Sequence, residues 1–433
     1  MKIAIATLGC KVNQYESAGI VETLEKQGLD MIPFDQPADY YVINTCTVTS
    51  RSDVQSRQLI RRAARTNPQA QIIVTGCYAR LAAEDLRKMP GVALVTDQKA
   101  LIAGAIAAAK PLEGIVLPET TPSFPDLTSL KPVRFHGHTR AFLKIQDGCN
   151  SRCRYCIVPF ARGPSRSIPA AEVIRRMDDL RHTGFREVVL TGIHLGAYGT
   201  DLFPPTDLVS LVKRVTDPRA IERLRLSSIE PMEITDPLIA LFQHSEVLCR
   251  HLHIPLQSGD DGILKRMGRP YDSAFFTHLL EKIWRVLPEL AVGIDVMVGF
   301  PGEDERAFER TVKFIEDLPV AYLHVFPYSE RAGTEAAAMS GRVSAADKKD
   351  RAERLRHIGK IKRRAFAQRF IGQKMDVLVE GRPDRGSGLW RGFSGNYIPV
   401  ILKDGDISQV NKIVTVLAED CQDGKLYGRM ADA

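Results

Sequence analysis

The chain has 433 residues, 44% of them hydrophobic and 26% charged, a length that suggests about three globular units at ~150 residues each. No stretch approaches the ~18 uninterrupted apolar residues of a membrane helix, and MKIAIATLGC opens straight into a strand-like run with no secretory h-region or cleavage site. These features predict a soluble, cytoplasmic protein with no membrane partner. The formal charge of +7 is uneven: residues 342–374 hold twelve Lys/Arg against Asp347, Asp350 and Glu353, which leaves the remainder slightly acidic. Such a block is either a solvated helix face or a surface that neutralises nucleic-acid phosphates, and charge alone does not decide between them.

Residues 1–110 alternate strand and helix signals. KIAIATL, YYVINT and QIIVTG are short apolar runs, each followed by helical spacing in ESAGIVETLEKQG, SDVQSRQLIRRAAR and beyond. This alternation predicts an open parallel α/β sheet with helices on its faces. Residues 111–138 are rich in proline and weakly periodic, and read as a linker. From 139 the alternation resumes on a larger scale, with strands expected at 141–146, 187–192, 223–228, 251–257, 292–299 and 321–329. Six βα units fall short of the eight in a closed barrel, so a partial (β/α)6 barrel is expected. The basic segment then continues as one amphipathic helix to about 371. Residues 372–433 are β only, with short strands in DVLVEG, LWRGFSG, YIPVILK and KIVTVLAE. They predict a small antiparallel, OB-like barrel.

Eight cysteines in a reducing compartment do not read as disulfides. Cys149, Cys153 and Cys156 form a CxxxCxxC loop directly after the first barrel strand. A structural zinc site normally closes with four ligands. Three thiolates on a four-iron cubane instead leave one iron open for a ligand, at the strand end where barrel active sites lie. Cys10, Cys46 and Cys77 each directly follow an apolar run. If the runs are parallel strands, all three thiols emerge at one carboxyl edge, where open α/β sheets bind ligands. That arrangement suggests a second cluster. Cys249 and Cys421 lack partners and read as plain thiols.

The CxxxCxxC loop with Tyr155 before its last cysteine, opening a six-unit barrel, resembles the radical S-adenosylmethionine (SAM) enzymes. The two trios in this order, followed by a small β-barrel, resemble the methylthiotransferase family along the whole chain. The resemblance implies an N-terminal methylthiotransferase cluster domain (1–110), a radical-SAM domain (139–371) and a terminal TRAM domain (372–433). It also implies two [4Fe–4S] clusters, SAM as cofactor, and insertion of a methylthio group into a C–H bond of tRNA or of a ribosomal protein. Cys149, Cys153 and Cys156 would carry the radical-SAM cluster, and Cys10, Cys46 and Cys77 the auxiliary one. The context of the first cysteine, with Lys11 and Val12, is similar to the branch acting on N6-threonylcarbamoyladenosine at tRNA position 37. The alternatives are the isopentenyladenosine and ribosomal-protein branches, or a non-enzymatic RNA-binding metalloprotein.

Further residues follow from the same resemblance. Tyr155, Gly192, Ser228, Glu230, Gln257, Arg266, Asp295 and Phe326, at or near strand ends, are expected to line the SAM site, with Arg266 available to pair with the SAM carboxylate. His251 and His253 read as layer residues of a strand. The expected partners are the tRNA anticodon stem-loop, an electron donor of flavodoxin or ferredoxin type, and a sulfur source.

Overall fold

The computed structural model describes residues 1–108, 124–216 and 221–431. The first part of the linker expected at 111–138 thus lies outside the described residues. The N-terminal region runs β1 (Lys2–Thr7), α1 (Lys11–Lys26), β2 (Asp30–Met31), β3 (Tyr40–Thr45), α2 (Ser50–Thr66) and β4 (Gln71–Gly76). It continues with α3 (Cys77–Leu81), α4 (Ala83–Arg87), β5 (Val92–Val95) and α5 (Leu101–Ala107). Its five strands form one sheet in the order β2-β1-β3-β4-β5, every pair parallel. The whole of β3, YYVINT, is buried, as a central parallel strand covered on both faces must be. Sequence patterning missed β2 and β5 because two- and four-residue strands are too short to show a period.

The middle region comprises β6 (Arg140–Lys144), β7 (Gln146–Asp147), α6 (Val158–Arg162), β8 (Arg166–Ser167), α7 (Ala170–His182), β9 (Glu187–Thr191), α8 (Leu208–Thr216) and β10 (Arg223–Leu226). It goes on through α9 (Asp236–His244), β11 (His251–Gln257), α10 (Asp261–Met267), α11 (Ser273–Val286), β12 (Ala291–Val298), α12 (Glu305–Asp317) and β13 (Tyr322–Pro327) to α13 (Ala345–Gln368). Two parallel three-stranded sheets, β6-β9-β10 and β11-β12-β13, meet at the Leu224–Leu248 bridge. Leu252, Ile254, Leu256, Ile294, Val296 and Val298 join the main apolar core. Strand alternation therefore turns His251, His253, Asp295, Tyr322 and His324 to the other face, where they meet one another in the lumen. This lumen is polar, unlike the apolar layers that plug a closed barrel.

β14 (Lys374–Val379), β15 (Arg391–Ser394), β16 (Pro399–Leu402), β17 (Ile413–Gln422) and β18 (Lys425–Met430) form a closed barrel in the order β14-β15-β16-β18-β17. Its pairs are antiparallel except β16–β18, which is parallel. It abuts the amino ends of the larger barrel's strands: Arg223 donates to Asp376 O (2.6 Å) and Phe393 O (3.1 Å), and Arg140 pairs with Glu380 (2.8 Å). Among the described residues no helix is long and apolar enough to cross a membrane.

Candidate active site

In the N-terminal sheet, β1, β3 and β4 are adjacent and in register, so Cys10, Cys46 and Cys77 emerge side by side. Gly9 and Gly76 make this possible. Both have left-handed backbones, φ +96° and +94°, that turn the chain so that Cys10 caps α1 and Cys77 opens α3. A Cβ at Gly9 would lie 2.9 Å from the Cys46 Sγ, and one at Gly76 would lie 2.3 Å from Thr45 O. Asn13 ties the loops together, its Nδ2 donating to Leu8 O (2.7 Å) and Thr45 O (3.0 Å). Burial pushes the Cys10 and Cys46 thiols up, with nearby Cys77 adding to the effect and Arg162 opposing it.

The second trio lies on the loop after β6 and β7. Gln146 Nε2 donates to Gly148 O (2.7 Å), and Cys149 N donates to Gly163 O (3.0 Å), which fixes the start of the loop. The sulfurs accept hydrogen bonds from named donors: Ser151 N to Cys149 (3.3 Å) and Arg269 Nη1 to Cys153 (3.2 Å). His194 Nδ1 stands 3.4 Å from the Cys149 Sγ, and its Nε2 lies 2.6 Å from Glu233. Burial raises the Cys149 thiol, but the bonds and charge of His194 outweigh it and hold the thiol below its ordinary value. Cys156, without such a partner, is pushed up to about 12 by burial.

The two carboxyl edges face each other. Ser50 N at the start of α2 donates to Ser329 Oγ (2.9 Å), just beyond β13, and Arg331 pairs with Asp53 (2.7 Å) and donates to Thr47 (2.7 Å). Arg162, at the end of α6, spans the gap. Its Nε donates to Cys77 Sγ (3.2 Å), its Nη1 reaches Glu16 (2.8 Å) and Asp147 (3.0 Å), and its Nη2 donates to Asn13. Lys144 and Lys99 also pair with Glu16, at 3.1 and 3.3 Å. Three cations against two carboxylates leave this buried cluster net positive beside a thiol. That field suits a thiolate-bound, negatively charged group.

Among the described residues neither trio gathers its three sulfurs within 4.8 Å. A single tetrahedral ion with Zn–S bonds of about 2.3 Å needs sulfurs roughly 3.8 Å apart. Three thiols per site, with N–H···S bonds from Ser151, Arg269 and Arg162, suit a thiolate-bound iron–sulfur cluster. His253, Asp295 and His324 do lie that close together, and they satisfy one another: His253 Nε2–Asp295 is 2.9 Å and His324 Nδ1–Asp295 is 3.5 Å. Their hydrogen bonds overcome burial and hold the Asp295 carboxyl well below its usual range.

The residues expected to line the SAM site divide. Tyr155 lies between the cysteines, its ring 6.4 Å from that of Phe300. Gly192 leaves room for Gln146, whose Oε1 would be 2.8 Å from an added Cβ. Ser228 is exposed beyond β10, and Gln257 adopts φ +70° at a bulge ending β11. Among the described residues the buried Ser227 Oγ has no partner, which fits a polar ligand at this strand end. Glu230 pairs with Arg269, and Phe326 is 45% exposed on β13. Arg266 stands apart: it donates to Pro301 O (3.1 Å) and Ser340 O (3.4 Å), holding the loop after β12. Arg269, three residues on, is the arginine that reaches both Glu230 and Cys153. Sequence reasoning missed Arg269, His194 and Arg162 because no local spacing marks a residue brought in by tertiary packing. Cys249 and Cys421 are buried.

Comparison with known proteins agrees with this geometry. Residues 2–97 match the uncharacterized protein family UPF0004, and residues 143–315 match the Radical SAM superfamily. The threonylcarbamoyladenosine tRNA methylthiotransferase MtaB of Bacillus subtilis is 40% identical over 96% of this chain and 93% of its own length. The chain belongs to the radical SAM methylthiotransferases, in the MtaB branch. MtaB of Thermotoga maritima is 36% identical over 87% of this chain and 86% of its own. A tRNA-2-methylthio-N(6)-dimethylallyladenosine synthase of Desulfitobacterium hafniense is 30% identical over 99% and 97%. The radical SAM methyltransferase TsrM of Kitasatospora setae, solved with cobalamin and a [4Fe–4S] cluster, shares the fold at TM-score 0.55 and 15% identity, covering 78% of this chain and 74% of its own. As a radical SAM methylthiotransferase the chain uses SAM and [4Fe–4S] chemistry.

Proposed function

We propose that this methylthiotransferase replaces the C2 hydrogen of N6-threonylcarbamoyladenosine, at position 37 of tRNA, with a methylthio group. The observation that carries the reading is the pair of cysteine trios on facing carboxyl edges, spanned by Arg162. Cys149, Cys153 and Cys156 hold the cluster that engages SAM, and Cys10, Cys46 and Cys77 hold the one that presents sulfur. When bound, the two [4Fe–4S] clusters supply the electron that cleaves SAM and the site from which sulfur is transferred. The chain's residues bind and orient. Arg269 donates to Cys153, and Arg162 closes the seam between the edges against water. Tyr155, Gly192, Ser228, Glu230, Gln257, Asp295 and Phe326 border the SAM pocket. Relatives named for the threonylcarbamoyl substrate reach 40% identity, against 30% for the dimethylallyl synthase, so the isopentenyladenosine and ribosomal-protein alternatives are not favoured.

The tRNA partner gives the basic segment a role, and only part of it is available. Arg351 pairs with Glu303 (2.8 Å), Arg354 with Glu309, and Lys362 donates to Glu316 O (2.7 Å) and Leu318 O (2.6 Å). These residues dock α13 on the barrel. Lys349, Arg356, Lys360 and Arg364 are exposed and, among the described residues, make no ion pair or hydrogen bond. Their spacing puts them on one helical face. That stripe and the closed terminal barrel, a TRAM-type domain, grip the anticodon stem-loop through its phosphates. Domain limits of 1–110, 139–371 and 372–433, a cytoplasmic location, a flavodoxin- or ferredoxin-type electron donor and an external sulfur source complete the reading.

The test is nucleoside mass spectrometry after anaerobic reaction of the reconstituted enzyme with tRNA carrying N6-threonylcarbamoyladenosine. The 2-methylthio derivative is expected. Product on dimethylallyladenosine alone, or none with intact clusters, would overturn the reading.

A further inference from the structure

Where the large barrel meets the terminal barrel, several cations gather around one tyrosine. Tyr397, on the turn after β15, takes a left-handed backbone (φ +66°) and enters the amino end of the large barrel's lumen. Arg225 lies 4.7 Å and Arg140 5.3 Å from its ring centre, His251 packs at 4.8 Å, and Phe393 stacks behind it at 5.0 Å. The ammonium of Lys11 is within electrostatic reach of the Tyr397 hydroxyl and of both guanidinium groups. The Lys11 side chain is exposed.

Charge at this end is unbalanced. Glu187 takes Arg225 (2.7 Å) and Arg223 (3.8 Å), and Glu380 takes Arg140 (2.8 Å) and Arg391 (3.1 Å). Two carboxylates therefore serve four arginines, and Lys11 has no ion pair or hydrogen bond among the described residues. Two titratable groups report the resulting field. Burial alone would weaken Tyr397 as an acid, yet Arg140, Lys11 and Arg225 hold its hydroxyl below the ordinary range. His251 is held well below its own range by burial and then by Arg225, with Lys11 contributing. Uncompensated positive charge beside an exposed lysine calls for an anion.

We propose that Lys11, with Arg140 and Arg225 behind Tyr397, forms an anion subsite that takes the free carboxylate of the substrate's threonylcarbamoyl arm. This rests on the functional reading above. Lys11 directly follows Cys10, so one short segment bears on both the cysteine edge and the arm. The anion expected here is a carboxylate because tRNA phosphates run along the outside of a stem-loop, whereas the modified base is the part that enters the pocket. An apolar arm would leave Lys11 facing no counter-charge, so the same lysine that favours this substrate disfavours an alkyl one. SAM also carries a carboxylate, and the test must separate the two sources.

The experiment uses reconstituted holoenzyme and anticodon stem-loops carrying N6-threonylcarbamoyladenosine, its methyl ester, or adenosine at position 37. Stem-loop affinity, SAM affinity and methylthiolation are each measured. Wild type should prefer the acid over the ester by about 10–100-fold, the worth of a charge-assisted hydrogen bond. Lys11→Gln should erase most of that preference by weakening the acid while leaving ester and SAM affinities unchanged, and Lys11→Arg should restore it. A Lys11→Gln protein that keeps the preference overturns the proposal. So does one that loses acid and ester equally, which marks a structural role, or one that loses SAM affinity alone, which assigns Lys11 to the SAM carboxylate. If wild type binds the acid selectively but never methylthiolates it, the functional reading fails and the subsite stands.

Discussion

The two cysteine trios lie on either side of one guanidinium, yet they are built in opposite ways. The barrel trio is a local device: eight residues of one loop carry all three thiols, and donors from Arg269, Ser151 and His194 converge on it. The N-terminal trio is a topological device, assembled from the ends of three parallel strands with Gly9 and Gly76 as hinges. Its charged N–H donor among the described residues, Arg162, comes from the other region. A local site depends on its loop, whereas a topological site depends on the whole sheet and on its neighbour. The auxiliary site should therefore be the more fragile of the two.

The largest expected effect comes from deleting either trio. Wild type should bind about eight irons, as two cubanes require. Cys149/Cys153/Cys156→Ala should leave about half that iron and abolish both SAM cleavage and product. Iron analysis showing no loss in the triple variant would remove the cluster assignment.

Next is Arg162→Met, which tests the dependence of one site on the other. Removing a buried cation that serves Glu16 and Asp147 should destabilise by about 3–5 kcal/mol in urea unfolding. Iron should be lost from the N-terminal site before the barrel site. The reverse order of loss would contradict the proposed asymmetry.

A smaller effect is expected on the outer surface. Arg356→Glu with Lys360→Glu and Arg364→Glu should weaken tRNA binding about tenfold and flatten its salt dependence, because fewer counterions are released. Lys362→Glu should instead lower stability, since that ammonium caps the carbonyls of Glu316 and Leu318. Equal tRNA defects in both variants would mean that the whole helix, and not one face of it, meets RNA.

The smallest effect is a pH dependence. Burial would raise the Glu187 carboxyl, but Arg225, Arg140 and Arg223 outweigh it and hold it below the ordinary range. Stability from such a group is present above the unfolded value of about 4.3 and lost as pH falls through the depressed one. The destabilisation caused by Glu187→Gln should thus be largest near neutrality and shrink in acid. Thermal unfolding across pH checks this, and a pH-independent difference would count against the pairing.

What could be read in the sequence follows the same contrast. Cys149, Cys153 and Cys156 were visible as spacing. Cys10, Cys46 and Cys77 were visible only because each repeats one context, a cysteine after an apolar run. The six large barrel strands were legible as apolar runs separated by helical segments, while β2, β7 and β8, at two residues each, have no period to detect. Local reasoning chose Arg266 as the arginine beside the SAM site. The structure ties Arg266 to backbone carbonyls and brings Arg269 to Glu230, a choice made by the turn at Gly268 (φ +75°). The basic block was legible as charge, but its division into docking and free residues needed the positions of Glu303, Glu309 and the α12 carbonyls.

The central claim is that two trios on facing edges divide the work. It is tested most directly by measuring 5′-deoxyadenosine and methylthiolated nucleoside together for Cys10→Ala and Cys153→Ala. Cys10→Ala should release deoxyadenosine and make no methylthiolated product, and Cys153→Ala should make neither. A folded Cys10→Ala enzyme that still methylthiolates tRNA, or that cannot cleave SAM at all, would contradict the division.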